Sequence, residues 1–195
     1  MILDSNPFNQ FKIWYQEALT QTGLTYPNAM TVSTVDAAGR PNSRILLLKD
    51  MDESGFVFYT NAQSVKGHEL DANPNVALLF FWESLKKQVR IRGRVEPVEG
   101  RAADDYFHSR PKESQLGAVA SQQSRVLDSR QTLEQAVSEL NQHFLNREIP
   151  RPDHWHGYRV VPVEFEFWIE GAFRLHDRFR YTLESGQWVS QRLYP

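Results

Sequence analysis

The sequence has 195 residues, enough for one large domain or two very small ones, and folding would bury roughly 70% of the unfolded chain's surface. Hydrophobic residues make up 41% and charged residues 24%, which is typical of globular proteins rather than of disordered or coiled-coil chains. The 22 basic and 24 acidic residues give a net charge of −2, so no overall field favours nucleic acid or a membrane as a partner. The chain contains no cysteine, which excludes disulfides, thiolate metal sites and cysteine nucleophiles.

The sequence shows no targeting or membrane-spanning pattern. The N-terminal residues lack a basic stretch followed by an apolar one, and no window reaches the about 18 apolar residues that a membrane span needs. The six histidines lack a metal-binding spacing, and we interpret His154 and His156 as features of a loop. No repeat or linker divides the chain. We therefore expect a cytoplasmic protein with one domain over residues 1–195, no metal site and no membrane association.

The first half of the chain predicts one helix followed by a sheet. Apolar residues recur at helical spacing from Pro7 to about Thr20, and Asn6 is a suitable N-cap. Two β-rich runs between Ala29 and Leu48 are separated by a turn at Asp36–Gly39, which predicts a hairpin. Further strands are predicted at Phe56–Tyr59, Val76–Trp82 and Gln88–Glu96. Short connections between them favour an antiparallel, barrel-like sheet.

The remaining segments predict peripheral helices and more strands, so the predicted fold class is mainly β with peripheral helices. Ser64–Asp71 begins with a capping serine, Asp128–Phe144 begins with a variant capping box made by Asp128 and Gln131, and Gly100–Val119 is interrupted at Pro111. We expect one helix to end near Ser109 and another to begin at Pro111. The final strands are predicted at Tyr158–Trp168, Phe173–Thr182 and Gln187–Arg192.

Two predicted strands carry rows of polar side chains. Alternation along a strand would place Arg174, His176 and Arg178 on one face, as a site for an anion or a planar ring or as a charged edge that prevents aggregation. In the predicted strand Gln88–Glu96, the same spacing puts four polar side chains on the face opposite the core. This pattern favours a solvated sheet surface, and nucleic-acid binding is a remote alternative. These residues are Gln88, Arg90, Arg92 and Arg94.

Two further groups have the chemistry of anion sites. Tyr106, Arg110 and Ser114 are four residues apart and suit a phosphate if the break at Pro111 lets them converge; otherwise they line a surface helix. The second group combines basic residues with a strand that leads into the N-terminus of a helix, where unpaired N–H groups attract anions. It consists of Arg44, Lys49, Tyr59, Thr60 and Lys66. A regular strand would put Arg44 and Lys49 on opposite faces, so a shared ligand requires a bulge or a strand end.

The chain has no GxGxxG, P-loop, HExxH or GxSxG motif, but several longer stretches resemble one family. They include Arg44-Ile-Leu-Leu-Leu-Lys49, Tyr106-Phe-His-Ser-Arg-Pro111 and Arg174-Leu-His-Asp-Arg178. Further matches are Phe58-Tyr-Thr-Asn61, Gln88-Val, Ser114-Gln-Leu-Gly117, Gln123-Ser124, Glu166-Phe-Trp168 and Arg192-Leu. Together they resemble the pyridoxine/pyridoxamine 5′-phosphate oxidase family over nearly the whole chain.

The resemblance implies an FMN-binding split β-barrel and a homodimer with active sites shared between the two chains. Residues that it places around FMN are Arg44, Lys49, Tyr59, Thr60, Lys66, Gln88, Gln123, Ser124, Trp168 and Arg178. It brings Gln123 and Ser124 to the FMN phosphate from the partner chain. Residues that it places around the phosphorylated substrate are Lys49, Tyr106, Arg110, Ser114, Arg174 and His176.

The resemblance also implies the reaction. Pyridoxine or pyridoxamine 5′-phosphate would lose a hydride equivalent from C4′ to the flavin. The alcohol would give pyridoxal 5′-phosphate directly, and the amine would give an imine that water hydrolyses to the same aldehyde with release of ammonia. Oxygen would then reoxidise the flavin and form hydrogen peroxide. Arg174 and His176 are the residues expected to act at the substrate ring. Alternatives are a related split-barrel oxidase of the phenazine pathway and a non-catalytic binder of FMN or pyridoxal phosphate.

The sequence departs from the family pattern in two places. Val65 precedes Lys66 where the family has an arginine, so one contact to the FMN phosphate is expected to be lost. The family's basic N-terminal arm has no counterpart before the first predicted helix, which puts closure over the substrate in question.

Overall fold

We analysed a computed structural model that describes residues 3–21, 23–98 and 101–195. These residues form five helices: Pro7–Thr20 (α1), Val65–Ala72 (α2), Arg101–Ser109 (α3), Lys112–Ala120 (α4) and Arg130–His143 (α5). The first five strands are Ala29–Val35 (β1), Pro41–Leu47 (β2), Asp50–Asp52 (β3), Gly55–Asn61 (β4) and Asn75–Trp82 (β5). The last four are Lys87–Pro97 (β6), Trp155–Ile169 (β7), Asp177–Glu184 (β8) and Gln187–Leu193 (β9). No helix in the described ranges is long and apolar enough to cross a bilayer.

All nine strands form one curled antiparallel sheet, so the prediction of a mainly β fold is confirmed. The strand order is β2-β1-β5-β6-β7-β4-β3, and β8 and β9 continue from β7. β7 is the longest strand and pairs with β4, β6 and β8. The start of β7 pairs with Thr60, and its end pairs with Gln88 and Arg178, so β7 runs between two sets of predicted site residues.

The main core lies between α1 and the concave face of the sheet. Phe11 is fully buried, with its ring 4.9 Å from that of Phe56 and 5.0 Å from that of Phe80. Trp14 contacts Phe167 on β7 with ring centroids 5.1 Å apart. Apolar side chains at helical spacing thus bury one stripe of α1, as the sequence predicts.

A smaller apolar cluster lies beneath α3, α4 and α5. Its buried members are Phe107, Leu116, Ile149 and Trp155. Val137, Leu140 and Phe144 pack against it from α5 and the residue that follows α5, although α5 has no fully buried residue. This cluster supports the helices on one side of the candidate site.

The caps of α1 and α2 confirm the sequence prediction. The Asn6 side chain accepts a 2.8 Å hydrogen bond from the Phe8 amide, and Pro7 occupies the first helical position. The Ser64 hydroxyl accepts from the Gly67 amide at 3.3 Å. Both caps depend on residues close together in sequence, so they can be predicted without knowledge of the tertiary structure.

Two predicted boundaries differ in the structure, and a third cannot be compared. Ser129, rather than Asp128, caps α5, because its hydroxyl accepts from the Thr132 amide at 3.1 Å. α4 begins at Lys112, with Pro111 as its N-cap residue. Gly100, at the start of the predicted Gly100–Val119 segment, lies outside the described residues.

The prediction of a strand over Phe173–Thr182 is wrong at its beginning. Phe173 has φ 56° and Arg174 has φ 65°, both in the left-handed region, and they lie in a short 3-10 turn. β8 begins only at Asp177. Strand alternation therefore does not place Arg174 and His176 on one face with Arg178.

Gly67 allows α2 to pack directly against the end of β4. A Cβ atom added there would lie 1.9 Å from the Ala62 carbonyl oxygen and 2.4 Å from its carbonyl carbon. Backbone atoms cannot move aside as a flexible side chain can. Gly67 therefore permits the short distance between the strand end and the helix N-terminus.

We expect Gly67→Ala to lower the free energy of unfolding by about 1–3 kcal/mol, because the added methyl group overpacks a rigid contact. Gly117→Ala in α4 is the matched control, since its added Cβ meets nothing within 4 Å. That variant should gain about 0.5–1 kcal/mol from helix propensity. Urea unfolding of both variants measures the difference, and equal midpoints would contradict the packing argument.

Candidate active site

A buried ammonium group organises the site where β4 leads into α2. Lys66 Nζ donates hydrogen bonds to Gln123 Oε1 at 2.8 Å, Ser64 Oγ at 3.1 Å and Thr60 Oγ1 at 3.2 Å. The whole residue is only 8% exposed. All three acceptors are uncharged, so these contacts orient the ammonium group without neutralising it.

The environment makes this lysine unusually acidic. Burial is the main cause that lowers the pKa of Lys66 to about 8, and the nearby Arg44 guanidinium lowers it further, while Glu69 opposes the shift. An anion would stabilise the charged form of Lys66 and would itself be attracted by the buried charge. These properties are those of an anion-binding site.

Arg44 supplies a second positive charge from β2. Its Nη1 donates to the Val32 carbonyl at 3.1 Å and to Thr34 Oγ1 at 2.6 Å, and its Nη2 donates to Glu69 Oε2 at 3.1 Å. These contacts fix the plane of the guanidinium group. Arg44, Lys66 and Thr60, all predicted from the sequence, therefore belong to one group.

Gln123 reaches this group from the loop after α4, where its Oε1 also lies 3.3 Å from Thr60 Oγ1. Both contacts are made within one chain, so Gln123 reaches the group without a partner, and a contribution of Gln123 across a dimer stays a prediction. Ser124 follows with φ 72° and an exposed side chain. Gln123 reaches Lys66 because the residues after α4 lie beside the end of β4, where Asn61 Nδ2 donates to the Ser121 carbonyl at 3.4 Å. We call Arg44, Thr60, Lys66 and Gln123 the Lys66 group.

A second polar group lies beside the first. Arg110 Nη2 donates to the Ser114 carbonyl at 3.0 Å, and its Nη1 is buried with no hydrogen-bond partner among the described residues. The Lys49 ammonium lies 5.7 Å from the centre of the Tyr106 ring. Because β2 ends at Leu47, Lys49 lies outside a regular strand. Strand alternation therefore does not force Lys49 and Arg44 onto opposite faces of the sheet. We call Lys49, Tyr106, Arg110 and Ser114 the Arg110 group.

Three stacked aromatic rings connect the two groups. The Tyr59 ring lies 4.3 Å from that of Tyr106 and 4.9 Å from that of Trp155, with interplanar angles of 18° and 7°. The Arg110 guanidinium carbon lies 5.0 Å from the centre of the Trp155 ring, a cation–π distance. Tyr59 directly precedes Thr60 on β4, so the stacked rings and the Lys66 group are attached to consecutive residues whose side chains leave opposite faces of the strand.

Sequence reasoning missed Trp155 as a site residue. It was interpreted only through its neighbours, His154 and His156, as part of a loop. In the structure Trp155 begins β7, and its buried ring supports Arg110. The available signal was the aromatic residue at the start of a long strand, but its partner is 45 residues away in sequence.

A third group lies at the other end of β7. Gln88 on β6 and Arg178 on β8 both pair with Trp168, and Arg178 Nε donates to Glu166 Oε1 at 3.0 Å. The His176 ring lies 4.6 Å from that of Trp168. The Gly171 amide donates to His176 Nδ1 at 3.2 Å, which leaves the proton of a neutral imidazole on Nε2. We call Gln88, Trp168, Arg174, His176 and Arg178 the Trp168 group.

The third group is remote from the other two along the sheet. Thr60 pairs with His156 near the start of β7, whereas Gln88 and Arg178 pair with Trp168, twelve residues further along. At about 3.3 Å per residue, this separation is about 40 Å along the strand. The fold of one chain therefore joins the first two groups and keeps the third at the opposite end of β7.

Comparisons with known proteins identify the family. A family model described as pyridoxamine 5′-phosphate oxidase matches residues 17–144, and one described as the pyridoxine 5′-phosphate oxidase C-terminal dimerisation region matches residues 155–195. A Caulobacter vibrioides protein named pyridoxine/pyridoxamine 5′-phosphate oxidase is 52% identical over 195 residues, which cover 100% of this chain and 87% of that protein. This chain belongs to the pyridoxine/pyridoxamine 5′-phosphate oxidase family.

Further relatives of this oxidase family agree in sequence and fold. A protein of the same name from Trichormus variabilis is 51% identical over 194 residues, covering 99% of this chain and 90% of that protein. The crystal structure of PhzG from Burkholderia lata, in complex with tetrahydrophenazine-1-carboxylic acid, superposes with a TM-score of 0.93 at 31% identity. The match covers 98% of this chain and 94% of PhzG.

A more distant structure supports the fold alone. A pyridoxamine 5′-phosphate oxidase-related, FMN-binding protein from Nostoc punctiforme has a TM-score of 0.75 at 16% identity, with 100% of both chains covered. With the closer relatives, it confirms the predicted split-barrel fold of the FMN-binding type.

The arginine row on β6 has a structural explanation within this oxidase fold. Arg90 Nη1 lies 3.1 Å from Glu166 Oε2, and Arg92 Nη1 lies 3.7 Å from Glu164 Oε1 on the neighbouring strand. The row alternates with buried Val89 and Ile91. These cross-strand ion pairs fit the solvated-face interpretation and weaken that of nucleic-acid binding.

His154 and His156 contact backbone carbonyl oxygens and form no metal site with other described residues. His154 Nε2 lies 3.1 Å from the Ala118 carbonyl oxygen, and His156 Nε2 contacts the Asp153 carbonyl. Within residues 3–21, 23–98 and 101–195, no cluster of histidine and acidic side chains could hold a metal ion.

The pKa of Lys66 predicts how anion binding depends on pH. FMN affinity should be highest while Lys66 is protonated and should fall as the pH rises through about 8. Fluorescence titration of the apoprotein with FMN between about pH 7 and 9.5 measures this dependence, because the flavin phosphate stays a dianion over that range.

Lys66→Arg is the control for this prediction, since a guanidinium group stays charged throughout the range. Its FMN affinity should vary much less with pH than that of the wild type. Parallel pH profiles for the two proteins would show that another group controls the binding.

Proposed function

We propose that this chain oxidises pyridoxamine 5′-phosphate and pyridoxine 5′-phosphate to pyridoxal 5′-phosphate, with FMN as cofactor and oxygen as electron acceptor. One observation carries the proposal: two cationic groups, each suited to a phosphate, are joined to consecutive residues of β4, one through the Tyr59 ring and the other through the Thr60 hydroxyl. FMN and the substrate each bring one phosphate. The relatives with this activity in their names are about half identical over nearly the whole chain.

The chemistry of the Lys66 group fits the FMN phosphate. Lys66 and Arg44 provide charge, Thr60 provides a hydroxyl, and the Gln123 amide can turn its NH2 group toward an anion. Val65 is 48% exposed beside Lys66 and provides no charge. Phosphate binding therefore relies on Arg44 and Lys66.

The chemistry of the Arg110 group fits the phosphate of the substrate. The buried Nη1 of Arg110 lacks a partner in the described parts of the chain, and an unpaired buried N–H group carries a free-energy cost that a ligand oxygen removes. Lys49 adds a second charge, and the hydroxyl groups of Tyr106 and Ser114 can donate further hydrogen bonds. The Trp155 ring lies 5.0 Å from the Arg110 guanidinium carbon and favours its positive charge through a cation–π contact.

The Trp168 group would complete the site from a second copy of the chain. It contains residues suited to planar rings, but it lies at the opposite end of β7 from the Lys66 group and the Arg110 group. A homodimer, supported by the match to the dimerisation region, allows one chain's β7 start to meet its partner's β7 end. In this arrangement Arg174 and His176 act at a substrate whose phosphate is held by the other chain.

The reacting centre would be organised by these side chains. Bound FMN supplies the redox chemistry, by accepting a hydride equivalent from the substrate and passing the electrons to oxygen. Arg174 would orient the pyridine ring and stabilise negative charge on it. His176, with its Nδ1 occupied by the Gly171 amide, would direct Nε2–H toward the polar substituents of the ring. The Lys66 group and the Arg110 group would each hold one phosphate and so would fix the positions of cofactor and substrate relative to each other.

A phenazine-pathway oxidase is the second candidate, because PhzG has nearly the same fold. Two observations favour the B6 vitamers. The relatives named for them are more similar in sequence, at 52% against 31% identity. The Arg110 group also offers two cations to a phosphate, whereas the compound bound to PhzG is named as a carboxylic acid.

Anaerobic mixing tests the proposed reaction and excludes a non-catalytic binder. Protein loaded with FMN should lose its flavin absorbance when pyridoxamine 5′-phosphate is added without oxygen. The same anaerobic step should form an imine that water hydrolyses to pyridoxal 5′-phosphate and ammonia. Admitting oxygen should then restore the absorbance and release hydrogen peroxide. Pyridoxamine without phosphate is the matched control and should react poorly. A spectral shift without loss of absorbance would show binding without oxidation.

A complementation experiment tests the shared site. Lys66→Ala and Arg174→Leu should each be almost inactive alone, because each removes one half of every site. Reassorted mixtures should recover about a quarter of the wild-type activity, since half of the dimers are mixed and one of their two sites is intact. Steady-state assays of equal mixtures measure the recovery. A site built within one chain would give no recovery.

A further inference from the structure

Glu69 places a carboxylate inside the cationic group that we assign to the FMN phosphate. Its Oε2 accepts from Arg44 Nη2 at 3.1 Å and from the Thr34 hydroxyl, and its Oε1 accepts from Asn42 Nδ2 at 2.9 Å. The Glu69 side chain is 8% exposed and that of Arg44 is 18% exposed. Neither the family resemblance nor the sequence pattern assigned Glu69 a role.

The charge state of Glu69 is well defined. Burial alone would raise the pKa of Glu69, but hydrogen bonds from Thr34, Asn42 and Arg44 outweigh burial and lower the pKa. The residue is therefore an anion at neutral pH. It cancels part of the positive charge next to the expected phosphate, which by itself would weaken phosphate binding.

The hydrogen bond from Arg44 to Glu69 orients the Arg44 guanidinium group, and this orientation offsets the loss of positive charge. An arginine side chain has five N–H donors in one plane, and contacts with the described residues account for three of those of Arg44. Val32 and Thr34 lie on β1, whereas Glu69 lies on α2. Glu69 thus ties the guanidinium group to the same helix that carries Lys66.

The network also links distant parts of the sequence. Thr34 Oγ1 accepts from Arg44 and its hydroxyl donates to Glu69, so the three side chains form a closed ring of hydrogen bonds. Asn42 holds the second carboxylate oxygen. An arginine fixed in this way loses little side-chain entropy when a ligand binds.

We infer that Glu69 is a positioning residue that orients Arg44 for the cofactor phosphate, and thereby determines how strongly the protein prefers FMN over riboflavin. This inference rests on the proposed function. Riboflavin has the same ring system and lacks only the phosphate. Discrimination between the two flavins therefore reports on the phosphate contacts and not on the rest of the flavin site.

The test is a titration of apoproteins with FMN and with riboflavin, followed by flavin fluorescence. Glu69→Ala should weaken FMN binding about tenfold or more, the size expected for a charge-assisted hydrogen bond, and should leave riboflavin affinity unchanged. Glu69→Gln keeps the shape and an acceptor oxygen and should recover most of the loss. Asp71→Ala removes an exposed carboxylate from the same helix and should bind both flavins like the wild type.

Three other outcomes would overturn the inference. Tighter FMN binding in both Glu69 variants would mean that repulsion of the phosphate dominates over positioning. Equal losses for FMN and riboflavin would show a purely structural role. Asn42→Ala covers the case in which Glu69→Ala does not fold, because it removes only one partner of Glu69. It should weaken FMN binding while leaving riboflavin affinity unchanged, and wild-type affinity for both flavins in that variant would also overturn the inference. A wild-type apoprotein that binds neither flavin would instead refute the proposed cofactor.

Discussion

The buried ammonium group of Lys66 is the interaction on which the candidate site depends. A charged group can remain in a low-dielectric environment only if partners orient it, and here three uncharged oxygens do so while Arg44 lies nearby. The fold supplies these partners from β4, the N-terminus of α2 and the loop after α4. The close packing at Gly67 brings the end of β4 and the N-terminus of α2 together, and so places these partners around the ammonium group.

Local signals explain what could be predicted from the sequence. The caps Asn6 and Ser64 and the alternation on β6 involve neighbouring residues, so α1, α2 and the polar face of the sheet were all recognised. The roles of Arg44 and Lys66 came from resemblance, and the structure adds that they share one group. Their assignment to the FMN phosphate stays a prediction until binding is measured.

Long-range contacts explain what could not be predicted. Glu69 lies 25 residues from Arg44, and Trp155 lies 45 residues from Arg110, so no local pattern connects either pair. The turn at Phe173 and Arg174 was missed for a different reason. Two consecutive non-glycine residues there adopt left-handed backbone angles, which neither residue type favours, and Phe173 is 95% exposed.

The length of β7 has a consequence for how the protein must be handled. Since one strand separates the phosphate-binding residues from the ring-binding residues of the same chain, an isolated subunit could retain flavin affinity through Lys66 and still be unable to turn over. Specific activity would then depend on enzyme concentration and decline on dilution as subunits dissociate. Under the proposed shared site, assembly is a part of catalysis, because the catalytic unit would be larger than the folding unit.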